Sequence, residues 1–373
     1  MNNPEAILQI VPRMPGMQDG VGDYALTLAR QIREIFSYQT IFLVNEAGPT
    51  PARTDGFQVS PLDSVARNNF PAKDFRHVIL HYVNYGYQNR GIPFHLVSLL
   101  REVRRRTSGR FLTIFHEISA SGPPWKSAFW LRPIQLQIAK AIGRLSDACI
   151  VSSDTMLHQL KRLVPEANVA VHPVFSNFGE PTLTAPQITN RSLHRWIICG
   201  GTALVQRSVQ SFPAIIKRVP IDFRPQELFV IGGQFNPIVQ ADLRDLGDVR
   251  TDYRPQIPAA DASTILLQSS FTWLDYFHRK DVPAAVVLKS TAFAAACAHG
   301  VIPVFPHPGS VISIETDRLP GPYFVDANNA QFPEDIARVA MEIYHWYQRH
   351  AASKNLVCGI AAALEINSNG KQP

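Results

Sequence analysis

The chain has 373 residues, enough for two domains that each bury a core, and its 46% hydrophobic and 18% charged content excludes a disordered or fibrous protein. No apolar run approaches the roughly 20 residues that cross a bilayer, so a membrane span is not expected. The net charge of +6 is scattered, and no aromatic-basic interleaving accompanies it, which argues against nucleic acid as a partner. Only REVRRR, Arg101 to Arg106, is a run; it reads as a solvated helix face or as a patch for an anionic surface or phosphorylated substrate. The opening MNNPEAILQIVPRMPG has no basic region followed by an apolar stretch, so no signal peptide is expected. Cys149, Cys199, Cys297 and Cys358 lie far apart without a C-x-x-C pair, which suits reduced thiols in the cytoplasm.

Short apolar runs alternate with helical patterns from the start. AILQIVP reads as a strand, and GVGDYALTLARQIREIF as an amphipathic helix with apolar residues at three-four spacing. TIFLV and HVILHYV read as buried strands, PFHLVSLLREVRRR as a helix and RFLTIFHE as a strand. WLRPIQLQIAKAIGRL is a helix and DACIVSS a strand. The pattern lapses in SNFGEPTLTAPQITNR, Ser176 to Arg191, whose composition reads as a linker. It restarts with RWIICGG, a helix over SVQSFPAIIKRV, the strand ELFVIGG and the helix PIVQADLRDL. FTWLDYF, the helix KSTAFAAACAHG, the strand VIPVF and a last helix in PEDIARVAMEIYHWYQRH complete it. Strand-helix alternation predicts parallel sheets covered on both faces. The expectation is an α/β protein of two Rossmann-like domains, 1–180 and 190–373, facing a central cleft, with the tail able to return to the first domain. Ligands of such sheets bind where strand carboxyl ends meet helix N-termini.

Chemistry is therefore sought at strand ends. Gly20 and Gly22 stand at the first strand-to-helix junction, either as a tight turn or as a loop that lets backbone N–H groups approach an anion. The dinucleotide spacing fails there at Ala25. His116 and Glu117 end a buried strand, and the loop beyond carries Ser119, Ser121, Gly122, Trp125 and Lys126, suited to a sugar or polar acceptor. His81 and Tyr82 end their strand in the same way; each of these histidines reads as a site residue or as a satisfied structural one. Gly200 and Gly201 followed by Arg207 suit a diphosphate, and Gly232 and Gly233 repeat the glycine pair. In KSTAFAAACAHG, Ser290 or Thr291 caps a helix whose N–H groups carry partial positive charge, and Lys289 adds a full one. An ordinary alanine-rich core helix is the other reading of that stretch. No D-x-D occurs and no histidines have metal-site spacing, so no metal is expected.

Taken together, the GVGDYALTLA loop-helix, the FHE after a central strand, the glycine turn with Arg207 and the stretch KSTAFAAACAHGVIPVF resemble the GT-B glycosyltransferases, in particular the retaining enzymes that use nucleotide sugars. The resemblance covers nearly the whole chain. It implies that His116 lies near the reacting sugar, with Glu117 beside it, while the strand-end reading gives Gly20, Gly22, Gly201, Arg207, Lys289, Ser290 and Thr291 as the expected donor contacts. His81, Tyr82, Ser119 and Trp125 would then meet the acceptor. One departure is plain: with Gly300 placed on the family's helix-ending glycine, Ala295 and Val287 stand where its two glutamates fall. Asp275 in TWLDYF is the expected substitute for the missing ribose contact.

The expected activity is metal-independent transfer, with retention, of a sugar from a nucleotide-sugar donor to a glycan, lipid-linked or polysaccharide acceptor. No cofactor is expected beyond that substrate, and peripheral membrane contact fits a lipid-linked acceptor. Two alternatives stand beside it. One is a non-catalytic homologue that binds a nucleotide sugar or a partner. The other is a nucleotide-sugar epimerase, which would want carboxylate and histidine pairs that the sequence does not show.

Overall fold

The computed structural model describes residues 6–15, 20–45, 52–65, 75–120, 122, 124–276 and 284–366; Ser121 of the expected acceptor loop lies outside them. The chain divides into two compact units: one up to His172 together with the segment from Ser353, the other Pro173–Ala352.

In the first unit β1 (Ala6–Val11), α1 (Gly20–Phe36), β2 (Gln39–Val44), β3 (Arg53–Thr54), β4 (Phe57–Pro61), β5 (His77–Tyr82), α2 (Asn84–Tyr87) and α3 (Phe94–Arg106) come first. β6 (Phe111–Phe115), α4 (Ser127–Leu145), β7 (Ala148–Val151), α5 (Asp154–Leu163) and β8 (Val169–Val171) follow. The sheet runs β3-β4-β2-β1-β5-β6-β7-β8, parallel except for the β3–β4 hairpin. β1, β5, β6 and β7 are buried along their whole length. That is why they read as near-continuous apolar runs. Within β2 the period of two still sorts the side chains. Ile41 and Leu43 join the core of Leu100 and Ile142, from α3 and α4; Phe42 and Val44 join that of Ala25 and Ala29, from α1. Helices thus cover both faces.

The second unit contains α6 (Ala185–Thr189), β9 (Arg195–Cys199), α7 (Thr202–Ser211), α8 (Pro213–Ile216), β10 (Glu227–Ile231), α9 (Pro237–Arg244), β11 (Arg250–Arg254) and α10 (Ala259–Gln268). Next come β12 (Phe271–Trp273), α11 (Thr291–Ala298), β13 (Ile302–Phe305), β14 (Ser313–Ile314), β15 (Asp317–Arg318), β16 (Tyr323–Val325), β17 (Ala330–Gln331) and α12 (Ile336–His350). Its main sheet runs β11-β10-β9-β12-β13-β16-β17, parallel except at β16–β17. The last helix among the described residues, α13 (Ser353–Leu364), belongs to the first unit, where it packs on α1. Both units are Rossmann-like α/β layers.

Three segments differ from their sequence reading. Ser176 to Arg191 lies inside the second unit, with Ser176 N and Leu183 N donating to the hydroxyls of Tyr347 and Tyr344 on α12 at 2.8 and 3.4 Å. Its polar residues serve as caps: Gln187 Oε1 accepts from Thr184 N at 2.8 Å at the start of α6. The helix expected over SVQSFPAIIKRV starts earlier, at Thr202, and breaks before Pro213, which has no N–H to continue it. FTWLDYF is a strand only over Phe271–Trp273, so Asp275 lies in the turn beyond it.

Each sheet also has a switch point. β1 has β2 on one side and β5 on the other; β9 has β10 on one side and β12 on the other. The crevice at the carboxyl ends of β1 and β5, and that at β9 and β12, are where ligands of such sheets are held.

Candidate functional site

At the first switch point the ladder continues past the end of β6. His116 N donates to Tyr82 O at 2.9 Å, which fixes His116 beside the end of β5. The ring follows: His116 Nε2 lies 3.2 Å from His81 Nδ1, and His81 Nε2 lies 2.9 Å from Gln9 Oε1 on β1. Gln9 Nε2 in turn donates to Thr40 Oγ1 of β2 at 3.5 Å. Tyr24 of α1 packs edge-on against both rings, with centroids 5.0 Å from His116 and 5.9 Å from His81. Burial, and then the neighbouring His116, hold the His81 pKa well below the ordinary histidine range. Burial likewise raises that of the Tyr24 hydroxyl.

This corrects two expectations. His81 and Tyr82, expected to meet an acceptor, are fully buried. The ring nitrogens of His81 are taken by His116 and Gln9, and the Tyr82 hydroxyl donates to Asn84 Oδ1. Neither is placed to touch a ligand. His116 and Glu117 are half-buried, and Ser119 is half-buried with its Oγ accepting from Gln159 Nε2 at 3.2 Å. Trp125 is 83% exposed at the start of α4. The run from Arg101 is largely consumed by ion pairs: Arg104 with Asp147 at 2.9 Å, Arg106 with Glu102 at 2.7 Å, and Arg105 with Glu102.

The two early glycines differ in kind. A Cβ on Gly22 would stand 2.9 Å from Met14 O, so that glycine lets α1 approach the turn after β1. A Cβ on Gly20 would meet nothing within 4 Å.

The second switch point gathers Gly201, Arg207 and Asp275 at the ends of β9 and β12. Its glycines pack two turns together. A Cβ on Gly232 would lie 2.7 Å from Gly200 O, and one on Gly233 2.8 Å from Thr202 N. Gly201, the N-cap of α7, alone has open space where a side chain would be. Two turns along α7, half-exposed Arg207 donates from Nε to Asp275 O at 2.5 Å; the same nitrogen is 3.9 Å from Asp275 Oδ1. The Asp275 side chain is 6% exposed, and its Oδ1 has no hydrogen-bond partner. Such an oxygen is costly unless something donates to it.

Beside this turn stands α11. Ser290 is its N-cap and accepts from Phe293 N at 3.3 Å, Thr291 is half-buried, and Lys289 is exposed. Ala292 of its first turn lies 3.4 Å from the position a Gly200 Cβ would take. Ala295 and Val287 are fully buried and apolar, so the helix offers no carboxylate there. The expected residues thus fall into two groups, one in each unit. Gln9, Thr40 and Tyr24 were not anticipated; the lone glutamine inside AILQIV is the signal that could have found the first of them.

Among the described residues no group of three or more His, Cys, Asp or Glu side chains is placed to hold a metal ion. Among them, too, no helix is long and apolar enough to cross a membrane.

No protein-family model matches the sequence, and no curated protein matches it significantly. Solved structures do match. A glycosyltransferase from Rickettsia africae ESF-5 superimposes with a TM-score of 0.58 at 12% identity, over 99% of this chain and 100% of that one. An alpha-glucosyltransferase in complex with UDP and a 13-mer DNA gives 0.60 at 11% identity, over 97% and 100%. WaaG, a glycosyltransferase involved in lipopolysaccharide biosynthesis, gives 0.51 at 10% identity, over 98% and 100%. At such identities the likeness establishes the fold: this chain has the GT-B fold of those enzymes.

Proposed function

We propose that the chain is a glycosyltransferase that moves a sugar from a nucleotide-sugar donor to a glycan, lipid-linked or polysaccharide acceptor. The observation that carries this reading is Asp275 Oδ1, buried and without a hydrogen-bond partner, beside the half-exposed Arg207 at the β9–β12 switch point. A guanidinium and helix N-termini suit a diphosphate, and a carboxylate oxygen in want of a donor suits the hydroxyls of a ribose. One of the structures of like fold holds UDP, which supports a nucleotide ligand.

In this reading Gly201, Arg207, Lys289, Ser290 and Thr291 hold the diphosphate, whose charge is met by cations and helix N-termini rather than by a metal ion. His116, with Glu117, serves the sugar, Gly20 gives a ligand room at the start of α1, and Ser119 and Trp125 meet the acceptor. A lipid-linked acceptor would bring the chain to a membrane surface. The bond from the sugar's anomeric carbon to the diphosphate breaks, and the acceptor oxygen bonds that carbon on the same face. The departing phosphate oxygen takes the acceptor's proton, so configuration is retained. This chemistry asks the protein for positioning and charge stabilisation. It does not require the two glutamates that Ala295 and Val287 replace.

A second reading, a nucleotide-sugar binder without turnover, is favoured by those same buried apolar residues. Calorimetry with UDP, followed by donor hydrolysis across a panel of nucleotide sugars with EDTA present, separates the two. The enzyme reading expects binding and slow hydrolysis, a retained product anomer by NMR, and a His116→Ala variant that loses turnover far more than affinity. Binding without turnover on any donor favours the binder, and absence of nucleotide binding defeats both.

A further inference from the structure

We propose that Gln9 and His81 are positioning residues that hold the His116 imidazole in the tautomer protonated at Nε2, leaving Nδ1 as its lone-pair atom. The argument starts two strands away. The Gln9 amide turns Oε1 toward His81, 2.9 Å from its Nε2, and Nε2 toward Thr40 Oγ1 at 3.5 Å. A carbonyl oxygen only accepts, so His81 Nε2 carries a proton. His81 is fully buried, where a neutral ring is strongly favoured over an imidazolium. A neutral ring with a proton on Nε2 has a lone pair on Nδ1. The group facing that lone pair is His116 Nε2 at 3.2 Å, and it must therefore be the donor.

The ring geometry agrees. The two imidazoles are within 17° of parallel with centroids 5.5 Å apart, too far for face-to-face contact and suited to an edge-to-edge N–H···N bond. Tyr24 closes on both rings from α1 with its edge, at 76° and 89°, and limits their rotation. A buried glutamine in an otherwise apolar central strand is costly; this role explains its presence.

The consequence for chemistry rests on the reading of His116 as the residue that serves the sugar. A ring whose Nδ1 is a lone pair accepts a hydrogen bond from a hydroxyl. To a phosphate oxygen, which also only accepts, that atom offers nothing. A ligand group that meets this atom would thus be a hydroxyl and not a diphosphate oxygen.

The test is long-range 15N–1H correlation spectroscopy of the intact chain labelled in its histidines, with assignment by His116→Gln. His116 is expected to show a protonated Nε2 and an unprotonated Nδ1. Gln9→Leu removes the acceptor opposite His81 and should shift the His116 nitrogens toward averaged values while thermal unfolding stays cooperative. A proton on His116 Nδ1 in the wild-type protein overturns the proposal, as does a pattern indifferent to Gln9→Leu; the wild-type spectrum decides even if that variant does not fold. Transfer that persists in His116→Ala would instead remove the sugar-contact reading, and the spectrum would still decide the tautomer.

Discussion

A single carboxylate carries most of the weight in the second unit. Asp275 is nearly sealed from solvent, yet Oδ1 receives no hydrogen bond and the Arg207 guanidinium stays 3.9 Å away. An oxygen left in that state costs stability of about 1–3 kcal/mol. Asp275→Asn changes its charge at nearly constant volume, so the two readouts should part. Unfolding free energy of the empty protein should hold or rise by up to about 1 kcal/mol, measured by denaturant titration. UDP affinity should fall by about 1.5–3 kcal/mol, roughly ten- to a hundredfold, measured by calorimetry. Equal UDP affinity in wild type and variant would place the ribose elsewhere.

At the level of elements, the turns after β9 and β10 divide their glycines between packing and space. Gly233 has φ +67° and would press a Cβ to 2.8 Å from the backbone of Thr202. Gly201 begins α7 with nothing within 4 Å of its would-be side chain. Gly233→Ala should therefore lower stability by about 1–3 kcal/mol through strain and a displaced turn. Gly201→Ala should change stability by less than about 1 kcal/mol, as an N-cap exchange does, while weakening UDP binding because the methyl fills the phosphate's approach. Thermal unfolding and calorimetry on the pair distinguish them; a Gly201→Ala protein that binds UDP as the wild type does would mean that the diphosphate passes this helix by. The neighbouring α11 makes the same point from its sequence. Its alanines are all buried, so what distinguishes the helix is the close seating of its first turn on the glycine turn, not charge along its flank.

Across the whole molecule, folding holds a histidine toward the neutral form in each unit: His81 in the first, and in the second His299, whose pKa burial pushes down to about 4. The unfolded chain binds protons at these sites near pH 6.5, above the folded values, so stability must fall as pH drops below about 6.5. The slope is about 1.4 kcal/mol per pH unit for each histidine, and for His299 it continues down to about 4. Urea unfolding at a series of pH values between 7 and 4.5 measures it. A stability that stays flat over that range would show that neither ring is held neutral, and His299→Gln should flatten the contribution of the second unit.

The sequence alone determined the central strands and the helices beside them. Residues such as those of AILQIV and HVILHY are buried on both sheet faces, and an amphipathic stretch such as Gly20–Phe36 can only be a helix. Edge elements were illegible for the converse reason. RTDYR of β11 is half-exposed at the sheet margin, so no apolar run marks it, and the Arg53–Pro61 hairpin is equally peripheral. Strand ends also told where polar residues would collect, which brought His116, Gly201, Arg207 and Asp275 into view. What local pattern could not decide was which of two like residues is sealed in the core. His81 and His116 end adjacent strands in similar words, yet the parallel register, which pairs Gln9 with Ile79, brings the Gln9 side chain to His81 and leaves His116 half-buried at the rim. Nor could it fix the crossing points: the tail's return to the first unit was expected, but the chain leaves that unit at His172 rather than near residue 180, and comes back at Ser353. Pairing between strands 31 to 72 residues apart is a property of the folded sheet, and only the tertiary structure carries it.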